Sequence, residues 1–336
     1  MRTFVFVLVS SIILYKTMSY YRNAVWFAKG ITEYTKSGFE SASKSFNPSD
    51  LEVSCKGRSY MITGANSGIG KSVACQVAKR GGTVHMVVRN PKSGEAAREE
   101  LVKETGNEDI HVHILDLSKP RDVYKFGKSF SESGSLNVLV NNAGCMVNTR
   151  EINEDGLEAN FATNTLGTHI LTRTLIPALE RTEKPRVVIV SSGGMLVQTL
   201  NLDDFNFEKL KPFDGTMAYA QNKRQQIVMA EEYAKQYPKV HFATMHPGWA
   251  DTPAVKSSMP DFYEKVKSKL RTPEQGADTA IWLAICDKAL EHPSGEFFQD
   301  RKPVAKHLPL AWTKSSKEEQ ETLMKRLDEL MEKFKP

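Results

Sequence analysis

Cysteine is scarce in this 336-residue chain: Cys55, Cys75, Cys145 and Cys286 stand far apart and form no C-x-x-C pair. That spacing excludes a zinc-ribbon site and a disulfide framework, and it predicts buried, inert thiols. Also missing is any run of five or more Lys or Arg, and the formal net charge is only +5. Nucleic acid is therefore not expected as a partner. His111 and His113 form an H-x-H in "DIHVHILDL" with no third ligand nearby, so they are read as strand histidines and no metal is expected. Long hydrophobic runs are absent too. The apolar stretch at 4–15, "FVFVLVSSIILY", is about a dozen residues long where a helical span needs roughly 20. It fits a signal-peptide core or an interfacial anchor, but no clear small-residue cleavage site precedes Tyr20.

What is present suits a large globular domain, with 40% hydrophobic and 25% charged residues. After the apolar stretch, Trp26, Phe27, Ile31 and Tyr34 recur at near-helical spacing among basic residues, as in a helix lying on a membrane or on its own domain. "NPSD" at 47–50 marks a boundary. The expected organisation is a leader and amphipathic segment at 1–50, a nucleotide-binding domain at 51–302 and a tail at 303–336. Within the domain, strand-like runs near 59–63, 83–88, 110–115, 136–140, 186–191, 240–245 and 295–299 alternate with helical patterns. Such alternation predicts one Rossmann-type, doubly wound parallel sheet of about seven strands with helices on both faces. Leu323, Leu327, Leu330, Met331 and Phe334 form one stripe of a C-terminal helix that packs on the domain.

The first strand, "YMIT", runs into Gly64, then Asn66-Ser67-Gly68-Ile69-Gly70, and then the helix "KSVACQVAKR". A strand that turns sharply into a helix whose free N–H groups face a pyrophosphate needs glycine there, both for the turn and for close backbone approach. With Gly at about 7% of residues, a chance T-G-x-x-x-G-I-G is of order one in a thousand or rarer.

This pattern resembles the ordinary branch of the short-chain dehydrogenase/reductase family, and the resemblance spans about residues 57–300. It implies that Asp116 and Leu117 of "LDL" lie beside the adenine, and that Asn142, Ala143 and Gly144 of "NNAG" shape the cofactor cleft. It implies Asn164 as the catalytic asparagine, Ser192 of "VIVSSGG" as the catalytic serine with Ser191 left open, and Pro247, Gly248 and Thr252 as the loop closing on nicotinamide. The extended, epimerase-type branch usually shows T-G-x-x-G-x-x-G, and "TGANSGIG" argues against it.

The family's Y-x-x-x-K occurs three times, at Tyr124/Lys128, Tyr219/Lys223 and Tyr263/Lys267. Only Tyr219 opens a long helix directly after the strand ending in Ser192, so Tyr219 and Lys223 are selected. Positions i and i+4 share a helix face, which sets the lysine beneath the tyrosine and beside the cofactor ribose. A free tyrosine ionises near pH ~10, so acid–base work calls for a nearby cation. The separation of Ser192 and Tyr219 exceeds the dozen or so residues of shorter family members, which marks "LVQTLNLDDFNFEKLKPFDGTM" as containing an insertion. It resembles in this the retinol-dehydrogenase-like members, whose extra residues there often lie over lipophilic substrates.

Arg89 ends the second strand where NAD-using members carry an acid, so NADP(H) is favoured over NAD(H), with Lys71 as a second phosphate ligand. The expected function is interconversion of a carbonyl and an alcohol on a lipophilic small molecule. A catalytically silent nucleotide-binding scaffold of the same fold is the alternative. Attachment to a membrane surface through the N-terminus, of endoplasmic-reticulum type, is favoured over secretion or a cytoplasmic location, and a homo-oligomer is left open.

Overall fold

The computed structural model describes residues 18–336, so the apolar stretch at 4–15 lies outside the described residues. Eight strands form one sheet in the order β3-β2-β1-β4-β5-β6-β7-β8. They are β1 (Ser59–Thr63), β2 (Thr83–Val88), β3 (Ile110–Ile114), β4 (Val138–Asn141), β5 (Arg186–Val190), β6 (His241–Met245), β7 (Glu296–Gln299) and β8 (Lys302–Pro303). The first seven pair in parallel, and β8 is a two-residue antiparallel edge that the hydrophobic pattern was too short to reveal. The order reverses between β1 and β4, and at such a switch point the strand ends diverge and leave a crevice.

The strands read as nearly continuous apolar runs because both faces are covered. In β1, Met61 enters the core on one side while Tyr60 and Ile62 enter the other. One face is covered by α2 (Gly68–Lys79), α3 (Pro91–Thr105) and α9 (Pro273–Ile285). The other carries α4 (Pro120–Ser133), α5 (Thr168–Glu180) and α6 (Gly215–Gln236). Two short helices, α7 (Pro253–Ser258) and α8 (Pro260–Val266), follow β6 over the strand ends. The C-terminal helix α10 (Lys317–Lys333) begins with a reciprocal cap between Ser316 and Glu319 and buries Leu323, Leu327 and Met331 against α6, as its stripe predicts.

The amphipathic segment does not stand away from the domain. A helical run over 18–29 passes through a π-helical turn, Gly30–Tyr34, into α1 (Lys36–Ser43). Tyr34 is fully buried, and its carbonyl accepts a 2.7 Å bond from the Trp249 amide. Arg271, itself buried, grips both oxygens of Asp300 at 2.6 and 2.9 Å and donates to the carbonyls of Glu33 at 2.6 Å and Thr35 at 3.3 Å. Tyr20 and Ile31 face outward, and Phe27 is half-exposed. No described helix is long and apolar enough to cross a membrane.

Candidate active site

At the C-terminal end of β1, Gly64 and Gly68 take positive φ values of +65° and +53°. A Cβ on Gly70 would lie 2.4 Å from both the Gly64 carbonyl oxygen and the Asn142 side-chain nitrogen. Gly70 therefore backs the turn instead of lining the cleft. Ser67 caps α2 without a side-chain hydrogen bond to its first turn, which leaves those amides open to an anion. Asn142 holds the turn from behind: its backbone and the Ala143 backbone each donate to Thr63 Oγ1 at 2.9 Å, and its side chain donates to the Thr63 carbonyl at 2.9 Å.

These elements border a cleft of about 680 Å³. Of the cofactor residues expected from sequence, Gly64, Asn66, Ser67, Gly68, Ile69, Arg89, Asp116, Leu117, Asn142, Ala143, Gly144, Pro247, Gly248 and Thr252 all line it. Asn66 donates to Ser93 Oγ at 3.2 Å, and Asp116 accepts from the Ser118 amide and hydroxyl. Arg89 is exposed at the rim. Lys71 does not support it: its ammonium pairs with Glu100 across α2 and α3 and lies outside the cleft. The cradle of glycines and open amides fits a dinucleotide pyrophosphate.

Ser192, Tyr219 and Lys223 meet at the same cleft. Ser191 points away, its hydroxyl donating to the Lys223 carbonyl at 3.0 Å, whereas Ser192 Oγ stands beside the Tyr219 phenol. Lys223 lies one helical turn beyond Tyr219, with Nζ 5.2 Å from the ring centre. Its ammonium donates to the Val190 carbonyl at 2.8 Å and to Gln226 Oε1 at 3.1 Å. Asn164 sits in a π-helical stretch, Ala162–Gly167, just before α5. Its side chain is spent on Cys145, accepting from that amide at 2.9 Å and donating to that carbonyl at 2.8 Å. Its backbone carbonyl accepts from Gln226 at 2.7 Å, so it reaches Lys223 through Gln226. The other two Y-x-x-x-K pairs lie elsewhere: Tyr124, within α4, packs on the core, and Tyr263 in α8 carries the Lys256 ammonium 5.7 Å over its ring.

Sequence reasoning missed several groups. Gln226 follows Lys223 by three residues on the same buried helix face, a signal that was there to read. Cys145, taken for an inert core thiol, is only half-buried and lines the cleft because it follows the cofactor-shaping "NNAG". Cys55, Cys75 and Cys286 are buried. His246 lines the cleft too, and its Nδ1 accepts from the Gly193 amide at 2.9 Å. Of the stretch that contains the insertion, only Thr216, at the start of α6, borders this cleft. Phe205 stacks on Phe161 at 4.8 Å, and Leu200, Leu202, Leu210 and Phe213 pack against the main core. His113 hydrogen bonds to His85 at 2.9 Å, and His111 contacts Asp109 at 2.7 Å.

Burial dominates the electrostatics. The Tyr219 phenol is pushed up to about 12 by desolvation, partly offset by Ser192. The Lys223 amine is pulled down to about 7 by desolvation, with no carboxylate to oppose it. Between pH 7 and 10 the unfolded chain keeps a proton on Lys223 that the folded chain has released, so this group makes stability rise with pH there, by up to ~1.4 kcal/mol per unit. Tyr219 acts in the opposite sense only above pH ~10. Urea unfolding at pH 7.0 and 9.5 should therefore show a steeper rise for the native chain than for Lys223→Met. An identical pH trend in both proteins would contradict the buried amine.

A family model described as short chain dehydrogenase matches residues 58–203. The chain is 58% identical over 318 residues to dehydrogenase/reductase SDR family member 12 of Bos taurus, covering 95% of this chain and 100% of that one. It is 32% identical to human retinol dehydrogenase 11, covering 82% of this chain and 85% of the relative. Among solved structures, a short chain dehydrogenase from Escherichia coli CFT073 complexed with NADPH superposes with a TM-score of 0.60 at 22% identity, covering 76% of this chain and all of that one. A protein from Mycobacterium paratuberculosis superposes with a TM-score of 0.67 at 27% identity, covering 84% of this chain and 97% of that one. The chain belongs to the short-chain dehydrogenase/reductase family, oxidoreductases that act on CH–OH groups with a nicotinamide dinucleotide as acceptor.

Proposed function

We propose that this protein is an NADP(H)-dependent oxidoreductase that interconverts a carbonyl and an alcohol on a lipophilic small molecule, with residues 51–302 as its catalytic unit. The observation that carries the reading is the convergence of Ser192, Tyr219 and Lys223 on the cleft that the glycine turn also borders. A dinucleotide held on the turn by Gly64, Gly68 and the first amides of α2 would supply the hydride in reduction and accept it in oxidation. Ser192 hydrogen bonds the substrate oxygen. Tyr219 gives that oxygen a proton in reduction and takes it back in oxidation. The Lys223 ammonium, just below the ring, stabilises the phenolate that proton loss creates. Asn164 acts as a positioning residue that braces Gln226, and Gln226 holds Lys223.

Tyr219→Phe should lower turnover by at least ~10²-fold while NADPH still binds. The assay is NADPH oxidation against a panel of retinals, steroids, quinones and lipid aldehydes. Near-normal turnover in the Phe protein would remove Tyr219 from the chemistry.

Arg89 supports the choice of NADP(H), since a guanidinium at the end of β2 suits a 2′-phosphate. Losing such a charge-assisted contact costs ~1.5–3 kcal/mol, so Arg89→Asp should weaken NADPH roughly 10-fold or more and leave NADH little changed. Calorimetry showing equal losses for both coenzymes would be the contrary result.

Attachment to a membrane surface through the N-terminus is supported by an exposed apolar patch. Leu310 and Trp312 are 78% and 66% exposed, and both sit at positive φ, a conformation large side chains avoid unless something holds them there. Their loop is tied to the start of the first described helix by Tyr21 to the Pro309 carbonyl at 2.8 Å and Arg22 to the Ala311 carbonyl at 2.7 Å. Aromatic side chains of this kind favour the membrane interface. Flotation of the full chain with phosphatidylcholine vesicles should weaken in the Leu310→Ser, Trp312→Ser double variant, and unchanged flotation would exclude the patch.

A further inference from the structure

The cleft is polar where the glycine turn and Asp116 border it, and apolar at the other end. There its lining comes from Met146 after β4, from Trp249, Met259 and Phe262 after β6, and from Trp26 and Phe27 of the N-terminal segment. Those last two residues are more than two hundred positions away from the loop they join. The rings form a continuous group: Trp26 and Trp249 lie 5.9 Å apart, Phe27 and Trp249 6.3 Å, and Trp249 and Phe262 5.1 Å, in tilted or edge-on geometry. Gly30 makes the approach possible, because a Cβ there would fall 2.3 Å from the Trp249 ring. Arg271 then fixes the segment through the Glu33 and Thr35 carbonyls.

Two features distinguish this wall from ordinary packing. Phe27 is 49% exposed although it touches the aromatic group, so one face of its ring is free. Trp26 Nε1 is buried without a hydrogen-bond partner among the described residues, and buried indole N–H groups ordinarily find an acceptor. A ligand in the apolar half would cover the free face of Phe27.

Resting on the oxidoreductase reading above, we infer that the N-terminal segment is the outer wall of the substrate site, and that Trp26 and Phe27 select carbonyl compounds with a flat, bulky apolar body. The segment whose sequence suits a membrane surface is thus part of the binding site. A short aliphatic aldehyde reaches Ser192 and Tyr219 without touching the wall. A two-ring aldehyde lies against the wall that Trp26, Phe27 and Trp249 form together.

The test uses the full chain saturated with NADP+ and titrated calorimetrically with naphthaldehyde, alongside NADPH oxidation with naphthaldehyde and with propanal. Phe27→Ala, at a half-exposed position, and Trp26→Ala should each weaken naphthaldehyde binding about 10-fold or more, the scale on which apolar pockets discriminate. Ile31→Ala, on the same segment but outside the cleft, should bind naphthaldehyde and turn over propanal as the native chain does. Failure of the native chain to bind naphthaldehyde, or native-like binding by Phe27→Ala, would overturn the wall. Phe27-dependent binding without oxidation of NADPH by either aldehyde would uphold the wall and sink the oxidoreductase reading. Equal turnover of both aldehydes by the native and Phe27→Ala proteins would do the reverse.

Discussion

A lysine amine buried with no carboxylate beside it is the constraint around which this site is built. Lys223 is almost fully buried, which disfavours its charged form, so the amine is held by borrowing oxygens from its surroundings. One is the Val190 carbonyl at the end of β5, and the other belongs to Gln226. Gln226 is held in turn by the Asn164 carbonyl, and the Asn164 side chain is clamped on both backbone groups of Cys145 after β4. The ends of β4 and β5, the π-helical stretch before α5 and the buried face of α6 are thereby joined in one hydrogen-bonded series. The parallel sheet makes this possible because it brings these strand ends to one edge.

A second support runs along the other wall of the cleft. Thr252 lies so close to Gly68 that a Cβ on the glycine would come within 3.1 Å of its methyl group, so the nucleotide turn and the loop after β6 face each other directly. That loop bends at Gly248, where φ is +74° and a Cβ would strike the Arg271 guanidinium. Arg271 is buried, paired with Asp300 and bonded to the N-terminal segment, so its charge is fully engaged. The loop after β6, the apolar end of the cleft and the N-terminal segment therefore share one buried ion pair. Tyr34 adds a further link, packing edge-on against His246 at 4.2 Å, while His246 holds the Gly193 amide next to Ser192.

Much of this was legible because it is local. The turn from β1 to α2 had to be glycine-rich for steric reasons that apply residue by residue, and the positive φ at Gly64 and Gly68 bears this out. The choice among three Y-x-x-x-K pairs was harder. The spacing is the same in all of them, and only the strand before Tyr219 separated the pairs. The insertion after Ser192 misled for a related reason: its length was visible, but its Phe205 and Leu202 pack on the core side and not over the cleft. Lys71 misled similarly, since its proximity to the phosphate turn in sequence said nothing of Glu100 on the neighbouring helix.

The sequence by itself determined the sheet with its helices, the glycine cradle, the tyrosine–lysine pair and the buried stripe of α10, because each depends on backbone sterics or on periodicity within one element. Tertiary structure alone decided that Gln226 rather than the Asn164 side chain meets Lys223, that Cys145 and His246 face the cleft, and that Trp26 and Phe27 close it. Those contacts join residues whose separation along the chain carries no information about distance. They exist only once strand order and the buried Arg271 pair have folded remote segments onto one edge of the sheet.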